Sequence, residues 1–235
     1  MINPIFGGYG LYILFSLPAL LLGFWAQMKV RSAFKKYSRI RSQNGLTGAQ
    51  IASRILEMNN LRDIDIEESK GRLSDHYDPG KKVLRLSPEV FRGNSIAAAG
   101  IAAHEVGHAI QHGTGYALLQ LRTTLVPTVR IGSWLGPIIF MLGLFIQSAL
   151  GTQIAWVGLI LFAATAVFAI LTLPVELDAS RRAKSALTTS GLIYQDEMRG
   201  VNRVLNAAAL TYVAAAIQAI TTILYYITLL SGRRR

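Results

Sequence analysis

The chain has 235 residues, 51% of them hydrophobic, with no cysteine and a formal net charge of +11. The missing cysteines exclude disulfides, a thiolate zinc site and a cysteine nucleophile. The charge is not a nucleic-acid footprint, because no stretch sets basic residues among aromatics on one face.

Ile5 to Met28 contains no Asp, Glu, Lys or Arg, and neither does Ile131 to Val175 nor Val204 to Gly232. A bilayer core of about 30 Å needs about 20 helical residues to cross. The first and last runs each suit one span. The middle run would extend about 67 Å as a single helix, too long for one crossing. Gly151-Thr152-Gln153 is the predicted break, which turns the run into a helical hairpin. Four spans result, near 5–28, 131–150, 154–173 and 207–230. The first lacks a basic n-region and is followed by basic residues, so it reads as a retained span and not a cleavable signal. Trp25 and Tyr225-Tyr226 fit interfacial anchors.

Basic residues concentrate in 29–130 and 174–206. The positive-inside rule places both segments in the cytosol and the N-terminus outside. Parity then leaves Arg233-Arg234-Arg235 outside, against that rule, which keeps open a last segment that does not cross. The expected divisions are 1–28, 29–130, 131–173, 174–206, 207–230 and a basic tail, 231–235.

Within 29–130, Lys29 to Arg41 continues the first helix as a basic juxtamembrane stretch, and Asn44-Gly45 breaks it. Thr47-Gly48-Ala49-Gln50 fits a capping box, followed by Ala52, Ile55, Leu56 and Asn59 at helical spacing. Ile64 and Ile66 alternate with charged residues and suggest a half-buried strand. Leu73 to Tyr77 and Lys82 to Leu86 flank the turn-rich Asp78-Pro79-Gly80, so a β-hairpin is expected. Val83 to Leu86 is the candidate edge for pairing with an extended substrate. Asn94 or Ser95 then caps an alanine-rich helix running to His112.

That helix carries His104-Glu105-Val106-Gly107-His108, an H-E-x-x-H pattern. Positions i and i+4 share a helix face, so His104 and His108 can offer imidazole nitrogens to one metal, with Glu105 placed as a general base. His112 lies about 12 Å along the axis from His104, too far to join them. It reads as a helix C-terminal residue, with Gly113 as C′. A third ligand must come from a separate element. Glu176, in Leu173-Pro174-Val175-Glu176-Leu177-Asp178-Ala179-Ser180, is the preferred carboxylate, in what would be a first helical turn. Asp178 is the alternative ligand, although Arg181 or Arg182 at i+3 or i+4 offers it an ion pair. His76 and Tyr77 are candidates for substrate or oxyanion contacts.

The fold class is thus a mostly α multi-pass membrane protein with about four transmembrane helices and a small α+β, zincin-like cytosolic catalytic region. At Leu73 to Pro79, Asn94 to Ala98, His104 to His112 and Leu173 to Ser180 the chain resembles the YugP-like family of bacterial membrane-bound neutral zinc metallopeptidases. That resemblance implies a Zn²⁺ cofactor, a peptide or membrane-protein substrate and a place in the bacterial cell membrane. A more distant likeness is to the HtpX and prenyl-protein protease group, whose E-x-x-x-D element implies Glu176 as ligand. Its Asp position falls on Ser180 here, so no carboxylate is assigned to orient a ligand imidazole. Leu177-Asp178-Ala179 also approaches the L-D-G element of site-2-type intramembrane proteases, which keeps Asp178 in view. The rival to an enzyme is a membrane adaptor or assembly factor with a structural zinc.

Overall fold

The computed structural model describes residues 4–232. In chain order these form α1 (Pro4–Tyr37), α2 (Gly48–Met58), β1 (Asp65–Glu68), β2 (His76–Asp78), β3 (Val83–Leu86), α3 (Pro88–Phe91), α4 (Ile96–Gly113), α5 (Ala117–Phe145), α6 (Ala149–Thr189) and α7 (Met198–Gly232). Two compact units emerge. One contains residues up to 25, 121–173 and from 211 onward; the other contains 26–120 and 174–210.

The first unit is helical. Among the described residues, α1, α5, α6 and α7 are long and apolar enough to cross a membrane. Leu142, Phe145, Val157 and Ile160 stand exposed, as lipid-facing side chains do. The hairpin expected from the middle run is present, but its break lies at 146–148 and not at Gly151-Thr152-Gln153. The reason is packing. A Cβ on Gly151 would lie 1.9 Å from the Ile146 carbonyl oxygen, so this glycine, already in the first turn of α6, is needed for the chain to pack back against the turn. Ser148 supplies the turn chemistry by accepting from the Gly151 amide at 3.3 Å. Gly143 and Gly158 continue the seam, since a Cβ on either would come within 2.3 Å of backbone on the facing helix. Small residues let helices approach closely where no hydrophobic effect pulls them together. Phe140, Ala155, Leu159 and Leu230 fill the interior. Tyr226 stacks on Phe140 with ring centroids 4.0 Å apart. The tail Arg233-Arg234-Arg235 lies outside the described residues.

The second unit has its own core, in which α2, the sheet and α4 meet the end of α6 and the start of α7 around Ile55, Leu84, Leu86, Val106, Leu187 and Leu205. The capping box that opens α2 is formed in full: Thr47 Oγ1 accepts from the Gln50 amide, and Gln50 Oε1 accepts from the Thr47 amide. β2 and β3 pair antiparallel, with Tyr77 opposite Leu84, and β1 joins the other side of β3 in parallel. The Asp78 carboxylate closes the hairpin turn by accepting from the Gly80 and Lys81 amides.

The strand order is β1-β3-β2, so β3 is the inner strand and cannot be the edge expected for Val83 to Leu86. Burial explains the order. Val83, Leu84 and Leu86 are all buried, whereas β1 and β2 carry exposed Asp65, Glu67 and His76. The most apolar strand takes the covered place, and charged strands tolerate the edges. Thr47→Ala removes the Oγ1 acceptor of the α2 cap and is expected to lower stability by about 1 kcal/mol. Thermal unfolding of the detergent-solubilised chain checks this.

Candidate metal centre

Ser95 opens α4 by accepting from the Ala98 amide at 3.1 Å. The residues that follow are small and mostly buried, which lets other elements press against the helix on several sides. At Gly107 the approach is backbone to backbone: a Cβ there would lie 2.4 Å from the Ala179 carbonyl oxygen of α6. α6 runs unbroken through Pro174, so Glu176 sits inside a long helix and not in the first turn expected from sequence. A helix-dipole role for it therefore falls away.

This approach brings His104, His108 and Glu176 together. Glu176 Oε2 lies 3.1 Å from His104 Nε2 and 3.5 Å from His108 Nε2. The imidazoles meet edge to face, with centroids 4.9 Å apart. One ligand atom from each of the three lies within 4.8 Å of the others. Glu176 is only 2% exposed and His108 8%.

Both imidazoles are held from behind. Ser180 Oγ is 3.1 Å from His104 Nδ1. Gln111 Oε1 is 3.0 Å from His108 Nδ1. The Gln111 amide has a single consistent orientation, because its Nε2 donates to the Val175 carbonyl at 2.8 Å and to Asp178 Oδ2 at 2.9 Å. Oε1 must then accept, so His108 carries a proton on Nδ1 and directs Nε2 toward Glu176. Fixing a ligand tautomer from behind is the recurring device of metal-binding histidines.

Two imidazoles and a buried carboxylate suit zinc, and no fourth histidine or carboxylate joins the group among the described residues. Catalytic zinc sites keep one position open, whereas structural sites close it with protein. Glu105, next to His104, is buried, and that burial raises its carboxyl above the ordinary glutamate range. A carboxylate so placed is a stronger proton acceptor than a solvated one.

The other candidates lie outside the three-residue group. Asp178 accepts from Arg181 and, at 2.6 Å, from Arg182, as well as from Gln111. Its carboxylate orients the Gln111 amide and stands outside the three-residue group. The Tyr77 hydroxyl pairs with His112 Nδ1 at 2.8 Å, tying β2 to the end of α4, and burial pushes it up to about 12. His76 is exposed, with Nδ1 2.8 Å from the Ser74 carbonyl. α4 ends one residue later than expected: Thr114 is the C-cap and Gly115 takes the left-handed backbone, at φ 67°. Gly113 is required for another reason, since a Cβ there would meet Leu61 Cδ2 at 2.7 Å. Sequence reasoning missed Gln111 as a support and left the role of Ser180 open. Each does lie on a ligand's own helix face, at i+3 from His108 and i+4 from Glu176.

A family model described as "Putative neutral zinc metallopeptidase" matches residues 12–231. The chain belongs to this family. It is 46% identical over 224 residues to a Bacillus subtilis (strain 168) protein described as "Putative membrane protease YugP", covering 95% of this chain and 98% of that one. No solved structure matches. Membership makes zinc the metal and adds to the four apolar helices in placing the protein in a membrane. Glu176→Gln is expected to abolish stoichiometric zinc binding. Asp178→Asn, which acts only through Gln111, should keep a zinc with roughly tenfold weaker affinity. Metal analysis and competitive chelation of the two purified variants distinguish them.

Proposed function

We propose that the protein is a membrane-embedded zinc-dependent endopeptidase that hydrolyses peptide bonds at the cytosolic face of the membrane. The observation that carries this reading is the convergence of His104, His108 and Glu176 beside a buried Glu105. Orientation is supported by the basic residues, sixteen of 24 of which lie in 29–130.

His104 and His108, through Nε2, and Glu176, through its carboxylate, would hold the metal. Zinc, when bound, supplies Lewis acidity toward the attacking water and the scissile carbonyl. Glu105 takes the proton from that water and delivers it to the departing amine, a role that its burial strengthens. Ser180 and Gln111 keep the two rings turned toward Glu176. β3 is covered on both sides, so an extended peptide would pair with β2, the outer strand that packs on α4.

Glu105→Gln should retain zinc while hydrolysis of a peptide substrate falls by about a hundredfold or more. Survival of cleavage would remove Glu105 from its assigned role. Survival of the cellular function without cleavage would favour the adaptor reading. For orientation, a cysteine introduced at Ser185 in this cysteine-free chain should react with a membrane-impermeant maleimide only after the cells are opened. Labelling of intact cells would reverse the assignment.

A further inference from the structure

Away from the metal centre, a cleft of about 780 Å³ lies where α1 continues past its apolar run. This volume falls in the range of small-molecule sites. Arg31 and Lys35 stand one turn apart, at i and i+4, near the end of α1, and Arg39 follows in the turn just past Tyr37, so the three cations form one stripe along this side of the cleft. Arg72, from the loop between β1 and β2, adds a fourth cation. The cleft's acidic residue, Glu89, is taken up by Arg72 at 2.9 Å. Among the described residues, no ion pair engages Arg31, Lys35 or Arg39.

Two further features narrow the ligand. Phe34 and Leu73 bring apolar surface into the same cleft. Leu73 is 56% exposed and is held at φ 52°, a left-handed backbone that a leucine rarely adopts. Depth is the second feature. Arg31 follows Met28, the last residue of the apolar run, by three positions, or about 4.5 Å of helix. The headgroup layer of a bilayer adds about 5–7 Å beyond each side of its hydrocarbon core. The stripe therefore begins at headgroup depth. Basic residues that merely satisfy the positive-inside rule need neither a concave surface nor apolar walls.

We propose that this cleft is a binding site for an anionic glycerophospholipid. The phosphate would sit among Arg31, Lys35 and Arg39, and the glycerol and upper acyl region would lie against Phe34 and Leu73. Juxtamembrane clusters of this kind attract anionic headgroups, with each cation contributing. The proposal does not depend on the peptidase reading, because none of these residues belongs to the metal centre.

The test uses the full chain, purified in detergent, delipidated and titrated with phosphatidylglycerol or phosphatidylcholine, with bound lipid counted by native mass spectrometry. Wild type should retain phosphatidylglycerol in preference to phosphatidylcholine. Combined Arg31→Ala, Lys35→Ala and Arg39→Ala should weaken phosphatidylglycerol binding by about tenfold or more. Combined Arg54→Ala, Arg62→Ala and Lys81→Ala, which remove equal charge from exposed positions outside the cleft, should not. Leu73→Ser should weaken binding of the lipid with all cations in place, and zinc content identical to wild type shows that each variant is folded. Equal losses in the two triple variants, or no loss in the first, would overturn the site. Displacement of the lipid by inorganic phosphate at equal concentration would overturn the lipid assignment and leave a phosphate site.

Discussion

The metal centre depends on one close contact between helices. Two imidazoles one turn apart on α4 are fixed by helix geometry, but a third donor reaches them only if α6 comes within backbone distance of α4. Gly107 allows that, because its missing side chain leaves room for the Ala179 carbonyl. Any larger residue would have to separate the helices, and Glu176 would move with α6. The H-E-x-x-H pattern therefore does two separate tasks. Its histidines supply two of the three grouped donors, and its glycine sets the distance at which the carboxylate arrives.

Behind the three donors lies a polar web that the apolar surroundings make obligatory. Gln111 is wholly buried, Asp178 and Ser180 nearly so, and a buried polar group without a partner costs about 1–3 kcal/mol. Here each has one. The web also passes information: arginines at 181 and 182 fix Asp178, Asp178 and the Val175 carbonyl fix the Gln111 amide, and that amide fixes the proton on His108. A carboxylate that orients a ligand imidazole is present after all, one residue removed from direct contact. Ser180 supports the other imidazole without an intermediary, since its hydroxyl reaches His104 Nδ1 directly.

Helix α6 meets two different requirements along its length. Its first part is apolar on nearly every face, as lipid and close helix neighbours demand, and relies on glycine to approach α5. Past Pro174 the same helix turns amphipathic and carries its acidic residues inward toward α4 and its arginines outward. Continuity matters for the site: Glu176, Ser180 and the Asp178 network stand on a rigid element at fixed spacing, where a loop would have left their separation free.

Sequence alone determined what local rules can determine. Helical periodicity pairs His104 with His108, the length of uncharged runs counts the membrane helices, and side-chain chemistry within a few residues defines the α2 cap, the Ser95 cap and the β2–β3 hairpin. It also singled out Glu176 and named the ion pairs of Asp178, because i+3 and i+4 neighbours are fixed once a helix forms. Tertiary structure decided the rest. Which strand lies inside, where the α5–α6 turn falls, and how Gln111 and Ser180 support the imidazoles all depend on close approaches between residues far apart in the chain. A glycine reads the same in sequence whether it makes a turn or admits a neighbouring backbone, and only the packed helices tell the two apart.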